Sequence, residues 1–169
     1  TSLITIVDAL GGVDVNSEYA FSAGGYDFVQ GTNHLDGKAA LAFSRERYSF
    51  SAGDRQRGKN QQAVITGIIN KMISPSIITN YTNILSAVSD SFQTSLSTSE
   101  IQSLVRMQLN DMSSWDIQTY SLDGSGASRS TYSYGSTPLY VMIPDQSTVT
   151  QAKTFIDAME SGQRITVTE

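Results

Sequence analysis

Cysteine is absent from the 169 residues, and histidine occurs once, as His34. The first absence excludes disulfides, thiolate metal sites and a cysteine nucleophile. The second excludes a multi-histidine metal centre and gives a serine triad weak support. His34 stands among turn formers, Gln30-Gly31-Thr32-Asn33-His34, a context that predicts a surface loop. A cysteine-free chain fits an extracytoplasmic location but leaves the compartment open. No run reaches the roughly 18 apolar residues of a membrane-spanning helix, and no basic stretch followed by an apolar one opens the chain. Positive charge is short overall. Eleven Lys and Arg against 16 Asp and Glu give a net charge of -5, which opposes general affinity for nucleic acid.

What is present suffices for one domain over residues 1–169, since 39% of the residues are apolar. Leu3, Ile6, Val7 and Leu10 recur at helical spacing ahead of Gly11-Gly12, so a helix is expected over Thr1 to Leu10 with the glycines as its stop. A helix under way at the first residue, with no capping sequence before it, predicts ordered chain upstream and marks the sequence as a fragment. Short strands are expected at Val13 to Val15 and Tyr26 to Val29, with Ser22-Ala23-Gly24-Gly25 turning between them. Asp36 reads as the cap of a short helix through Leu41.

From Gln61 to Ser74, Ile65, Ile68, Ile69, Met72 and Ile73 make a helical stripe ended by Pro75, and that stripe is expected to be buried. Further helices are predicted at Ile77 to Phe92, after Ser97 with its Ser-Thr-Ser-Glu capping box, and at Ser147 to Met159. Strands at Ile117 to Leu122 and Leu139 to Ile143 flank a Ser-, Gly- and Tyr-rich loop from Asp123 to Ser136. Helices interleaved with strands predict a mixed α/β or α+β fold, a mixed sheet flanked by helices in a three-layer α-β-α arrangement, incomplete at its N-terminus.

Five of the eleven basic residues, Arg45, Arg47, Arg55, Arg57 and Lys59, fall within fifteen positions, with only Glu46 and Asp54 to offset them there. Arg45 and Arg47 share a face only on an extended backbone, so Phe43 to Arg47 is expected as a strand with Glu46 on its other side. Arg57, Gln61 and Ile65 are spaced four apart and align on one helix face if the helix reaches back to Asp54; Arg55 and Lys59 fall on another. Aiming several guanidiniums into one partly buried place needs matching anions, and Asp36, Glu46 and Asp54 are fewer than the cations. A phosphate ligand meets that deficit, because guanidinium forks bind its oxygens in pairs and keep their charge. A helix N-terminus near Arg57 adds its dipole. By spacing alone, surface ion pairs of roughly 0–1 kcal/mol each account for the cluster equally well.

The string Phe-Ser-Arg-Glu-Arg-Tyr-Ser-Phe-Ser-Ala-Gly-Asp-Arg-Gln-Arg-Gly-Lys-Asn-Gln, Phe43 to Gln61, resembles the signature of the LytR-CpsA-Psr family. Ile6 to Val15 and Leu35 to Leu41 are similar to two other motifs of that family, in the same order, and the resemblance runs from Thr1 to about Ile73. It implies a bacterial enzyme at the extracytoplasmic face of the cell membrane, anchored by an N-terminal transmembrane helix that lies outside this sequence. The implied reaction moves a glycopolymer, of teichoic acid or capsule type, from a polyprenyl-pyrophosphate carrier to peptidoglycan, typically with Mg²⁺. By the same resemblance Arg45, Arg47 and Arg57 are catalytic and, with Gln61, contact the pyrophosphate. Asp54 lies near that head group, and the lipid occupies a tunnel between sheet and helices. The family's Arg-Ser-Asp and Pro-Arg-Asp motifs, which carry the Mg²⁺ ligands, have no counterpart here, so no metal site is expected within the chain. Positioning and charge neutralisation supply most of the catalysis in phosphoryl transfer, and no protein nucleophile is required.

Two readings of other classes stand beside this one. A noncatalytic envelope regulator would suit the family's older transcriptional-attenuator label, although the acidic balance and the absence of a helix-turn-helix pattern disfavour contact with nucleic acid. A polyprenyl-phosphate or carbohydrate-binding module would use Tyr120, Tyr132, Tyr134 and Tyr140 around the polar loop, positions that ordinary packing also explains.

Overall fold

In the computed structural model, which describes residues 2–78, 81–88 and 94–167, the first helical pattern becomes α1 (Ser2–Ala9). Val7 and Leu10 are buried, Leu3 and Ile6 pack beside them, and Gly11 and Gly12, at φ +73° and +89°, end the helix. This helix belongs to the first of two compact units, Thr1–Ile117 and Gln118–Glu169.

The strands β1 (Val13–Ser17), β2 (Phe21–Ala23), β3 (Tyr26–Phe28) and β4 (Gly31–Leu35) form two antiparallel pairs, β1 with β4 and β2 with β3. The sequence pattern locates β1 and β3 but assigns Ser22 and His34 to turns, whereas both lie on strands. Asn33 is the reason for His34. Its buried amide accepts the Val29 N–H at 2.9 Å and donates to the carbonyls of Val29 and Gly31 at 2.8 and 3.0 Å. That closes the turn early, and His34 falls opposite Asp14 with Nδ1 2.7 Å from the carboxylate.

Asp36 caps α2 (Gly37–Arg45) as expected, accepting the Ala39 N–H at 2.8 Å. The helix then continues past Leu41 and takes in Phe43 to Arg45, correcting the strand predicted there. Ala39, Ala40 and Phe43 are all buried at helical spacing, and Phe43 stands 5.2 Å, ring to ring, from both Phe21 and Phe28. Burial of that stripe decides the backbone.

The long helix α3 (Asp54–Met72) starts where the Arg57 and Gln61 spacing requires, but it buries a different face from the one expected. Gln56, Asn60, Val64 and Gly67 are buried, while Ile65 and Met72 are 56% and 50% exposed. Gly67 explains the choice: a Cβ there would stand 2.7 Å from the Asp14 carbonyl oxygen and 3.2 Å from Val15 Cγ2. Only a residue without a side chain lets the helix lie this close to β1, and Ile65 and Met72 are turned aside. Gly67→Ala is therefore expected to lower the unfolding midpoint. Helix propensity favours alanine by about 1 kcal/mol, but overpacking against backbone costs about 1–3 kcal/mol. A thermal melt that rose on this substitution would contradict the close approach.

Among the described residues this unit also holds the helices α4 (Pro75–Ile78), α5 (Tyr81–Val88) and α6 (Thr98–Asp111). Phe92, the predicted end of the helix from Ile77, lies outside the described residues. The capping box forms, with the Ser97 hydroxyl accepting the Glu100 N–H at 3.3 Å and the Glu100 carboxylate accepting the Ser97 N–H at 2.7 Å. Leu104 on this helix stays 48% exposed.

In the second unit β5 (Gly124–Ser130) and β6 (Pro138–Pro144) make an antiparallel hairpin followed by α7 (Gln146–Glu160), capped by Asp145. The first half of the Ser- and Gly-rich stretch expected as a loop is thus a strand, since a ladder needs only backbone groups. Ile117 to Leu122 forms no strand. Tyr120 packs edge-on against Phe155, whereas Tyr132, Tyr134 and Tyr140 are exposed. The mixed α/β class holds, with every strand among the described residues in an antiparallel pair. No helix among them is long and apolar enough to cross a membrane.

Candidate functional site

The chain leaves α2 at Glu46, whose backbone is extended, and turns back at once. The Ser49 N–H donates to the Glu46 carboxylate at 2.8 Å, and that bond, ahead of the other contacts, holds the carboxyl below its ordinary range. Glu46 is therefore engaged by its own turn. At the far side of the turn Gly53, at φ +50°, is the N-cap of α3 and offers no side chain to the first amides, which places Asp54 in the first helical turn.

Asp54 is the carboxylate around which the arginines gather. Its Oδ1 accepts from Arg57 Nη2 at 2.9 Å and lies 3.6 Å from Arg47 Nη1. Arg47 also donates from Nη2 to the Tyr48 hydroxyl at 2.8 Å, with its guanidinium carbon 4.7 Å from the ring centroid. The Tyr48 contact first, and the Asp54 charge after it, raise the Arg47 pKa above its ordinary value, so this cation stays charged. One carboxylate between two guanidiniums leaves net positive charge. The three side chains are 43%, 66% and 35% exposed for Arg47, Asp54 and Arg57, so each pair is solvent-screened and contributes about 0–1 kcal/mol. An arriving dianion can displace so weak an internal partner and take both forks.

The remaining expected site residues fall into two places. Arg57 and Gln61 do share a face of α3, and Gln61 is exposed one turn beyond the arginine. The same face continues through Ile65, Ile68 and Met72, of which only Ile68 packs against the core. A charged end thus leads into an accessible apolar stripe. Arg45, the last residue of α2, is exposed and lines an open cleft of about 460 Å³ with Lys38, Glu46 and Tyr48 over apolar Ile4 and Leu41. It makes no ion pair with Asp54, and Tyr48, which holds the Arg47 guanidinium, also lines its cleft. Lys59 pairs with Glu18 at 3.0 Å, away from the trio, as its spacing predicts.

Sequence reasoning passes over three residues here. Tyr48, adjacent to Arg47, holds its guanidinium. Gln56 and Asn60 are 4% and 2% exposed and lie behind Arg57 on the buried side of α3. The signal for Asn60 is its type, since asparagine is a poor choice for a helix interior unless its amide has a partner. Among the described residues no group of three or more His, Asp or Glu is placed to hold a metal ion. Asp54 is a single carboxylate between two guanidiniums, whose positive charge repels a divalent cation, so these residues do not fit a Mg²⁺ ion.

Comparison with known proteins gives a consistent picture. The LytR_cpsA_psr family model matches residues 1–154. The Polyisoprenyl-teichoic acid--peptidoglycan teichoic acid transferase TagU of Enterococcus faecalis is 43% identical over 99 residues, 59% of this chain and 33% of that protein. The protein of the same name from Oceanobacillus iheyensis is 40% identical over 120 residues, 71% of this chain and 37% of its own length. This chain thus spans about a third of the length of the curated relatives it matches. The crystal structure of Bacillus subtilis TagU superposes with a TM-score of 0.65 at 32% identity, over 99% of this chain and 64% of that one.

Proposed function

This chain belongs to the LytR_cpsA_psr family, and from that premise we propose that it binds the pyrophosphate of a polyprenyl-linked glycopolymer, as part of a phosphotransferase that passes the polymer to peptidoglycan. The observation that carries this reading is the accessible face of α3, where Arg57 and its partner Arg47 meet at Asp54 and Gln61, Ile65 and Met72 follow. Such a face matches an amphiphile with an anionic head and an apolar tail. Relatives named for teichoic acid transfer make that type of polymer the first candidate cargo.

In the reaction proposed, an acceptor hydroxyl oxygen attacks the phosphorus that bears the glycopolymer, and the hydroxyl proton passes to water. The bond from that phosphorus to the bridging oxygen breaks, and polyprenyl phosphate leaves with the electron pair. Arg47 and Arg57 hold the pyrophosphate oxygens and neutralise the charge that grows on the leaving phosphate, and Arg45 adds a third guanidinium from the end of α2. Gln61 donates its amide to the same group. Any Mg²⁺ serving the reaction takes its ligands from outside the described residues. The reaction belongs at the extracytoplasmic face of a bacterial membrane, where carrier and peptidoglycan meet.

The test compares two probes by calorimetry, inorganic pyrophosphate and a short-chain polyprenyl pyrophosphate. Burying one isoleucine side chain contributes about 1.5–3 kcal/mol, so the lipid probe is expected to bind at least about tenfold tighter. Ile65→Asp should remove most of that advantage. Equal affinity for the two probes, or an advantage untouched by Ile65→Asp, would remove the apolar stripe from the site.

A further inference from the structure

Helix α2 ends at Arg45, so its last carbonyls have no partner within the helix. One of them is supplied from α3. Asn60 Nδ2 donates to the Phe43 carbonyl at 3.3 Å, and Gln56 Nε2 donates to Asn60 Oδ1 at 3.1 Å. Both amides are almost wholly buried, at 2% and 4% exposure. A buried polar pair contributes little net stability, about 0.5–1.5 kcal/mol for each hydrogen bond, while any member left unpaired costs about 1–3 kcal/mol. What a satisfied network of this kind supplies is one defined arrangement. Here the arrangement concerns the site: Gln56 precedes Arg57 in the chain, Asn60 is three residues beyond it, and Phe43 is four residues before Arg47.

We propose that Asn60, oriented by Gln56, is a positioning residue that locks the end of α2 to α3 and thereby sets the spacing of Arg47 and Arg57 across Asp54. The proposal rests on the pyrophosphate-binding reading for its functional consequence, but its geometric content stands without it. Between the helices the turn of residues 47–49 and the Tyr48 ring are solvent-exposed, and Phe50, 4.8 Å ring to ring from Phe21, anchors the far side of that turn to the core. The buried tie is the polar contact that joins the end of α2 directly to the helix that carries Arg57.

The experiment uses Asn60→Leu and, in case that variant does not fold, Gln56→Met, which disturbs the orientation of Asn60 while leaving its bond to Phe43 possible. For each folded variant, inorganic pyrophosphate affinity is measured together with the NMR Nε–Hε resonances of Arg47 and Arg57 in the ligand-free protein. Asn60→Leu should weaken affinity about tenfold and Gln56→Met about threefold, with both arginine resonances displaced. On an Arg47→Ala background the Asn60→Leu penalty should shrink below about twofold, because the effect passes through Arg47. A merely structural Asn60 would lower the melting temperature but leave the folded protein's arginine resonances and affinity in place, and that result overturns the proposal. A penalty that persists in full without Arg47 does the same. Should the unaltered protein bind no pyrophosphate, the functional reading fails by itself, and displaced or unmoved arginine resonances still decide the positioning role.

Discussion

Replacing Arg57 by alanine is expected to weaken pyrophosphate binding by about 10- to 100-fold, the largest loss of any single change at the site. Arg57 makes the shortest contact to Asp54, 2.9 Å, and at 35% exposure it is the least solvent-screened of the three charged groups. A hydrogen bond to a charged group contributes about 1.5–3 kcal/mol, and each 1.4 kcal/mol is tenfold in affinity. Arg57→Lys should fall between, since the ammonium keeps the charge but loses the planar fork. Arg47→Ala should cost less than Arg57→Ala, because Arg47 is more exposed and part of its donor capacity is held by Tyr48. Titration of inorganic pyrophosphate into the three variants at fixed ionic strength reads all of this directly. Binding by Arg57→Ala at the level of the unaltered protein would refute the assignment of the head group to this trio.

The two ends of that assignment differ in how far the amino-acid string discloses them. Asp54, Arg57 and Gln61 are legible because they act over one or two helical turns, where spacing equals geometry. The same holds for the Asp36 cap and the Ser97–Glu100 box, each a contact within three residues. Arg47 joins the trio only through the turn that Glu46 and Ser49 close, and Phe43 to Arg45 reads as strand or helix until Phe43 is known to face Phe21 and Phe28. On α3 the periodicity truthfully reports an apolar stripe but cannot say that the sheet takes the other side. That choice is made by Gly67 against the Asp14 carbonyl, a contact between residues far apart in sequence. Asn60 is hidden for the same reason, its partner Phe43 being 17 positions away. In each case the missing information is long-range packing, which leaves Ile65 and Met72 of the misread stripe exposed.

Phe43→Ala is expected to destabilise the first unit by about 3–5 kcal/mol, the range for deleting a fully buried aromatic ring from a core. Phe43 is 0% exposed, and its ring stands 5.2 Å from Phe21 and from Phe28, which in turn meet each other at 4.8 Å, so its loss opens a cavity that two other rings line. Against a total stability of about 5–15 kcal/mol, that is enough to populate unfolded protein at moderate temperature. Phe43→Leu, which refills most of the volume, should recover the greater part. The denaturant midpoint should drop without a change in slope, because less stability, not less exposed surface, is the consequence. The site should suffer beyond what unfolding explains. Phe43 supplies the carbonyl that Asn60 binds and is followed two and four residues later by Arg45 and Arg47, so a loosened ring frees the end of α2, which carries Arg45 and leads into Arg47. Pyrophosphate affinity measured on the folded fraction should therefore fall for Phe43→Ala and be largely restored in Phe43→Leu. A stability loss below about 1 kcal/mol would show that this aromatic cluster is not what holds α2 in place, and the route from core to arginines would then have to run through α3 alone.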